Sequence, residues 1–68
     1  MKSISAKYFC KILERNGWNL DRVQSSHFIY EKTGYCSVSV PVHGNKDLPI
    51  GTLKALMRAA GLTEADLD

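Results

Sequence analysis

A two-layer α+β sandwich is the fold class this sequence predicts, in the order α-β-β-β-α, with a three-stranded antiparallel sheet and two helices on one face. Three observations predict it. Apolar residues recur with helical spacing near each end of the chain, and the stretch between them alternates with the period of a strand. The third is size: 68 residues support one hydrophobic core, so a single domain spanning 1–68 is expected.

The first helix is expected over residues 4–16. Ala6, Phe9, Cys10 and Leu13 fall on one face, with Ile12 at its flank. Ser3 or Ser5 can cap the start, and Asn16-Gly17 supplies a stop because glycine tolerates the left-handed conformation. The opposite face carries Lys7, Lys11 and Arg15 in steps of four, a basic stripe.

Strands are expected over 18–24, 27–32 and 35–42, separated by turns at Ser25-Ser26 and Thr33-Gly34. In the third, Cys36, Val38, Val40 and Val42 alternate with Tyr35, Ser37, Ser39 and Pro41. That alternation predicts one buried face, with Cys36 on it. In the second, Phe28 and Tyr30 share one face while His27 and Ile29 share the other. The sequence leaves open which pair meets the helices.

A loop over 43–48 leads to the second helix, where Leu53, Leu56, Met57 and Ala60 follow helical spacing and Pro49 and Gly51 mark the entry. Gly61 should end it, with Leu62 making the hydrophobic contact of a Schellman cap. Thr63 can then cap one further turn through Asp66.

The composition bounds what such a chain can be. A hydrophobic content of 44% builds a core and a charged content of 24% is ordinary, which excludes a disordered or fibrous chain. The net charge of +2 conceals a segregation, because Glu64, Asp66 and Asp68 hold three of the seven acids. Residues 1–63 therefore carry nine basic and four acidic side chains, a net +5 that favours an anionic partner. Cys10 and Cys36 show no Cys-x-x-Cys spacing, and free thiols in a reducing cytoplasm are expected. No apolar run suits a signal peptide or a membrane span, so no membrane partner is expected. Starting at Met1 without a linker, the chain is expected to be complete as it stands.

Several residues could carry chemistry, and each has a plain structural alternative. His27 begins a strand just after a tight turn. An imidazole can give or take a proton near neutral pH, as RNA transesterification needs at the 2′-oxygen and at the leaving 5′-oxygen. The alternative is a surface histidine beside a turn. His43 lies in a loop, where it either contacts substrate or satisfies backbone groups. No metal is expected, because His27, His43 and the cysteines lack the close pairing of zinc ligands. Neither thiol reads as a nucleophile, since both are placed in the core. Lys7, Lys11 and Arg15, with Lys54 and Arg58 one turn apart on the second helix, can track phosphates or form a solvated face. Phe28, Tyr30 and Tyr35 can stack on bases or fill the core.

The pieces Gly17-Trp18, Arg22, Ser26-His27-Phe28-Ile29-Tyr30, Val40-Pro41-Val42-His43-Gly44, Gly51-Thr52-Leu53 and Ala60-Gly61-Leu62-Thr63 together resemble the HicA family. Its members are toxins of type II toxin–antitoxin systems that act as mRNA interferases. The resemblance covers nearly the whole chain in the right order. It implies a double-stranded-RNA-binding-domain-like fold and metal-independent cleavage of mRNA, with no cofactor. It also implies a HicB-type antitoxin that covers the active surface.

The family's catalytic histidine stands in a Gly-Ser-His motif at the start of the second strand, which corresponds to His27. RNA-binding roles are expected for Lys7, Lys11, Arg15, Arg22, Ser26 and Lys54. The second proton-transfer group stays open among Tyr30, Lys46 and His43. The sequence departs from the family at Ser25, usually glycine, and at Phe28, commonly a second histidine. A non-catalytic module binding double-stranded RNA is the competing reading, with His27 structural.

Overall fold

Ser5 turns the chain into its first helix. Its backbone is extended, and its hydroxyl oxygen accepts the Tyr8 N–H at 3.1 Å, so the helix α1 runs over Ala6–Arg15 in the computed structural model, which describes residues 2–67. Asn16 ends it, with the Asn16 side-chain amide donating to the Ile12 carbonyl at 2.8 Å. The expected apolar face is the buried one: Ala6, Phe9, Cys10, Ile12 and Leu13.

Three strands follow, β1 (Asn19–Gln24), β2 (His27–Glu31) and β3 (Val38–Pro41), forming an antiparallel sheet in the order β1-β2-β3. The register pairs Gln24, His27 and Pro41 across the sheet, then Val23, Phe28 and Val40, then Arg22, Ile29 and Ser39. A shift between Leu20 and Arg22 inserts Asp21 as a bulge, which returns Leu20 to the side of its partner Tyr30.

The parity left open by the sequence is settled by packing. Tyr30, Val38 and Val40 belong to the core cluster with Phe9, Leu13 and Leu53, and Phe28 packs against it half-buried. Phe28 and Tyr30 therefore face the helices, while His27 and Ile29 lie on the other side of the sheet. Neither of the two is available as a stacking platform; Tyr35, outside the strands, is exposed. The helices leave the edge strand uncovered, and Leu20 and Val23 on its helix side are 45% and 53% exposed.

The third strand is shorter than its alternation suggests. Tyr35 donates its N–H back to the Lys32 carbonyl at 3.0 Å, closing a turn, and pairing begins only at Val38 opposite Tyr30. Cys36 is consequently exposed, not on the buried face. The strand pattern extrapolates past the end of its partner, because β2 stops at Glu31 and leaves Cys36 with no strand to join.

Helix α2 (Ile50–Ala60) buries Leu53, Met57 and Ala60. Gly61 adopts φ 69°, the Leu62 N–H reaches the Met57 carbonyl at 2.8 Å, and the Gly61 N–H reaches that of Arg58 at 3.3 Å. This is the Schellman pair of bonds. A short 3-10 turn, Glu64–Leu67, follows, with the Asp66 carboxylate accepting the Thr63 N–H at 2.8 Å. Its Leu67 returns to the core. Both helices lie on one face of the sheet, as the two-layer reading requires.

Candidate functional site

The β1–β2 connection is a two-residue turn, and its first residue, Ser25, takes φ 55°. A positive φ at that position reverses the chain with the right-handed twist of a hairpin, and it is the conformation that glycine adopts without steric cost. The serine departure thus keeps the turn and bears the strain of a left-handed side chain. Immediately after the turn, His27 opens the central strand, exposed, between Gln24 and Pro41 on the sheet face the helices leave open.

One further bond extends the β2–β3 ladder past this pair. The Val42 N–H donates to the Ser26 carbonyl at 2.7 Å. Val42 packs half-buried against the core, so the segment leading into His43 is tied directly to the turn that presents His27.

The loop then closes on α1. The Lys46 N–H donates to the His43 carbonyl at 3.2 Å, the Ala6 N–H to the Lys46 carbonyl at 3.3 Å, and the Leu48 N–H to the Ile4 carbonyl at 2.9 Å. Lys7 Nζ donates to Asn45 Oδ1 at 3.4 Å. Leu48, assigned to the loop by the sequence, is in fact a core residue that anchors it.

This arrangement gathers some of the expected RNA-binding residues and separates others. Ser26 supplies the carbonyl just described. Arg22 shares the open sheet face with His27 through its pairing with Ile29, and is ion-paired to the neighbouring Asp21. Lys7 reaches the 43–47 loop. Lys11 and Arg15 continue the exposed row along α1, where the Arg15 guanidinium lies 6.0 Å from the centre of the Tyr8 ring. Lys54 is exposed on α2, and no hydrogen bond or ion pair among the described residues ties it to the His27 turn. Lys7, Lys11 and Arg15 thus lie on the helix layer and Arg22 on the open sheet face, so the expected RNA-binding residues do not gather in a single pocket. A cavity of about 660 Å³ elsewhere, between the N-terminal segment and the last turn, includes Lys2, Tyr8, Asp47 and Glu64 and none of the expected site residues.

Tyr30 is placed away from His27. Its hydroxyl donates to Glu14 Oε2 at 2.9 Å on the helix side of the sheet. Burial first, then hydrogen bonds with Cys10 and Glu14, push its phenol far above the ordinary value. Burial likewise raises the Cys10 thiol, with the neighbouring Tyr30 hydroxyl working the other way. These groups hold protons firmly in the interior, which suits structure and not proton transfer at the surface.

What sequence reasoning missed is the bond that ties Val42, just before the 43–47 loop, to Ser26. It joins residues far apart in the chain, and only the apolar Leu48 after a polar stretch signals that the loop returns to the core.

No curated protein matches this sequence. Among the described residues, no helix is long and apolar enough to cross a membrane and no three His, Cys, Asp or Glu side chains are grouped to hold a metal ion. The family profile of the HicA toxin of bacterial toxin–antitoxin systems, by contrast, matches residues 6–62, from the first residue of α1 to the Schellman leucine, and the chain belongs to that toxin family.

Proposed function

We propose that this toxin is a metal-independent endoribonuclease of a type II system, which cleaves mRNA in the cytoplasm and is neutralised by a HicB-type antitoxin. The observation that carries the reading is the position of His27: exposed, at the start of the central strand, on the uncovered sheet face beside a turn tied to the next loop.

Cleavage of this kind proceeds by attack of the ribose 2′-oxygen on the adjacent phosphorus. The new P–O2′ bond forms as the 2′-hydroxyl proton passes to a base, and the P–O5′ bond breaks as the 5′-oxygen takes a proton from an acid. The products are a 2′,3′-cyclic phosphate and a 5′-hydroxyl end. His27 serves as one of the two proton-transfer groups. Lys7 and Arg22 are disposed to hold phosphates and to offset the negative charge that develops on the phosphoryl oxygens. An acidic antitoxin surface is suited to the excess of basic side chains in residues 1–63.

The exposed row Lys7, Lys11 and Arg15 also favours a second reading, a module that tracks duplex RNA by shape without cutting it. Expression in cells separates the two. Wild type alone should arrest growth and leave mRNA fragments with cyclic-phosphate ends, co-expression of the HicB-type partner should restore growth, and His27→Ala should be tolerated. Growth arrest without fragments, unchanged in His27→Ala, supports the binding module instead.

A further inference from the structure

The reaction proposed above needs proton transfer on two opposite sides of the phosphorus, because the attacking and leaving oxygens lie in line. One imidazole cannot face both. We infer that His43 is the second proton-transfer group, an inference that rests on the proposed ribonuclease reading and deepens it.

Three observations carry this. First, the Val42–Ser26 bond at 2.7 Å extends the ladder one step beyond the His27–Pro41 pair. His43 is then the diagonal neighbour of His27, and Cα atoms in that relation are about 7–8 Å apart. Second, Val42 packs toward the core. Strand alternation sends its neighbours Pro41 and His43 to the opposite side, the open face on which His27 stands. His43 is exposed there. Third, the main chain of His43 is fixed at both ends. Val42 holds the preceding residue to the turn, and the His43 carbonyl accepts the Lys46 N–H at 3.2 Å while Lys46 and Leu48 bond to the start of α1. A group fixed in this way is positioned before substrate arrives, which is where proximity contributes most.

The other candidates fail on position or chemistry. Tyr30 is buried on the helix side with its proton committed to Glu14. Lys46 lies where the loop has already turned onto α1, its carbonyl accepting the Ala6 N–H at 3.3 Å, and no ladder bond among the described residues returns it to the His27–Pro41 pair. A lysine ammonium also has no lone pair with which to act as the base. Two imidazoles across one phosphate complete the proton balance: one removes the 2′-hydroxyl proton, the other protonates the departing 5′-oxygen, and hydrolysis of the cyclic phosphate can return both to their starting states.

The test compares purified wild type, His27→Ala, His43→Ala and His43→Asn on an RNA cut at a mapped position, and on the same RNA with sulfur replacing the bridging 5′-oxygen there. A thiolate leaves without help from an acid, so this substrate rescues loss of the acid and not loss of the base. His43→Ala and His43→Asn should both lose about 10²–10⁴-fold on ordinary RNA while keeping the wild-type melting temperature. On the sulfur substrate, one of the two histidine positions should regain near-wild-type rate and the other should not. Undiminished cleavage by the His43 variants, or an impairment in which both positions or neither is rescued, overturns the assignment. Undiminished cleavage by His27→Ala is a different failure, that of the ribonuclease reading itself.

Discussion

The Ser26 carbonyl accepts the Val42 N–H at 2.7 Å, and this single bond joins the turn that presents His27 to the loop that carries His43. Val42 lies outside β3, whose last residue is Pro41. Its amide should nonetheless resist hydrogen exchange as strongly as the amides within the β2–β3 ladder, because its donor is engaged and its side chain is packed. Exchange by NMR at the rate of an open loop would show that turn and loop are independent.

Ser25 holds φ 55° in a turn where glycine is the unstrained residue. A left-handed conformation costs a side-chain-bearing residue about 1–2 kcal/mol. Ser25→Gly should recover about 1 kcal/mol of that, which for a domain this size raises the melting temperature by roughly 4–8 °C. Thermal unfolding followed by circular dichroism checks it, and a lower melting temperature would mean that the serine hydroxyl contributes more than the strain removes.

The helices were legible from the sequence because their signals are local. Ser5 and Gly61 sit at the ends of apolar stripes, and capping needs only neighbours within one turn. The third strand was overextended because alternation at Tyr35-Cys36-Ser37 is also local, whereas pairing depends on where β2 ends. Lys32, next in line after β2, instead points its Nζ at the Asn16 carbonyl, 2.8 Å away, and over the Tyr35 ring at 5.1 Å. That cluster turns the chain before Cys36 can pair. For the site, residue type and a turn singled out His27, and the family resemblance supplied its role. The face it occupies became clear only through Tyr30, whose bond to Glu14 fixes the parity of β2.

The interior phenol and thiol predict an alkaline limit to stability. Tyr30 and Cys10 are both raised above their ordinary values of 10.0 and 9.0. The folded state therefore keeps protons that the unfolded chain releases, and stability is fully present below about pH 9 and falls as pH rises beyond it. Denaturant midpoints should be flat between pH 7 and 8.5 and decline from pH 9 to 11. Tyr30→Phe should flatten that decline while lowering stability at pH 7 by about 1.5 kcal/mol, through loss of a bond to a charged group. An unchanged slope in Tyr30→Phe would remove Tyr30 from the account.

Lys7, Lys11 and Arg15 form an exposed row on α1. If all three meet phosphates, replacing them with Gln should reduce the slope of log affinity against log salt by about 2, given roughly 0.7 per contact for single-stranded RNA. The binding measurement is best made in a His27→Ala background, so that the RNA survives. A slope equal to that of the parent would assign the row to solvation or to the antitoxin.

The proposed cleavage depends on His27, and one purified variant tests it. His27→Ala should melt within a few degrees of wild type, since an exposed side chain beside a turn leaves little packing to lose. It should still bind RNA, and its cleavage rate should fall by about 10²–10⁴-fold. A variant that melts well below wild type, but whose folded fraction cuts RNA at the full rate, would make His27 structural; a stable variant that cuts RNA as fast as wild type would contradict the account outright.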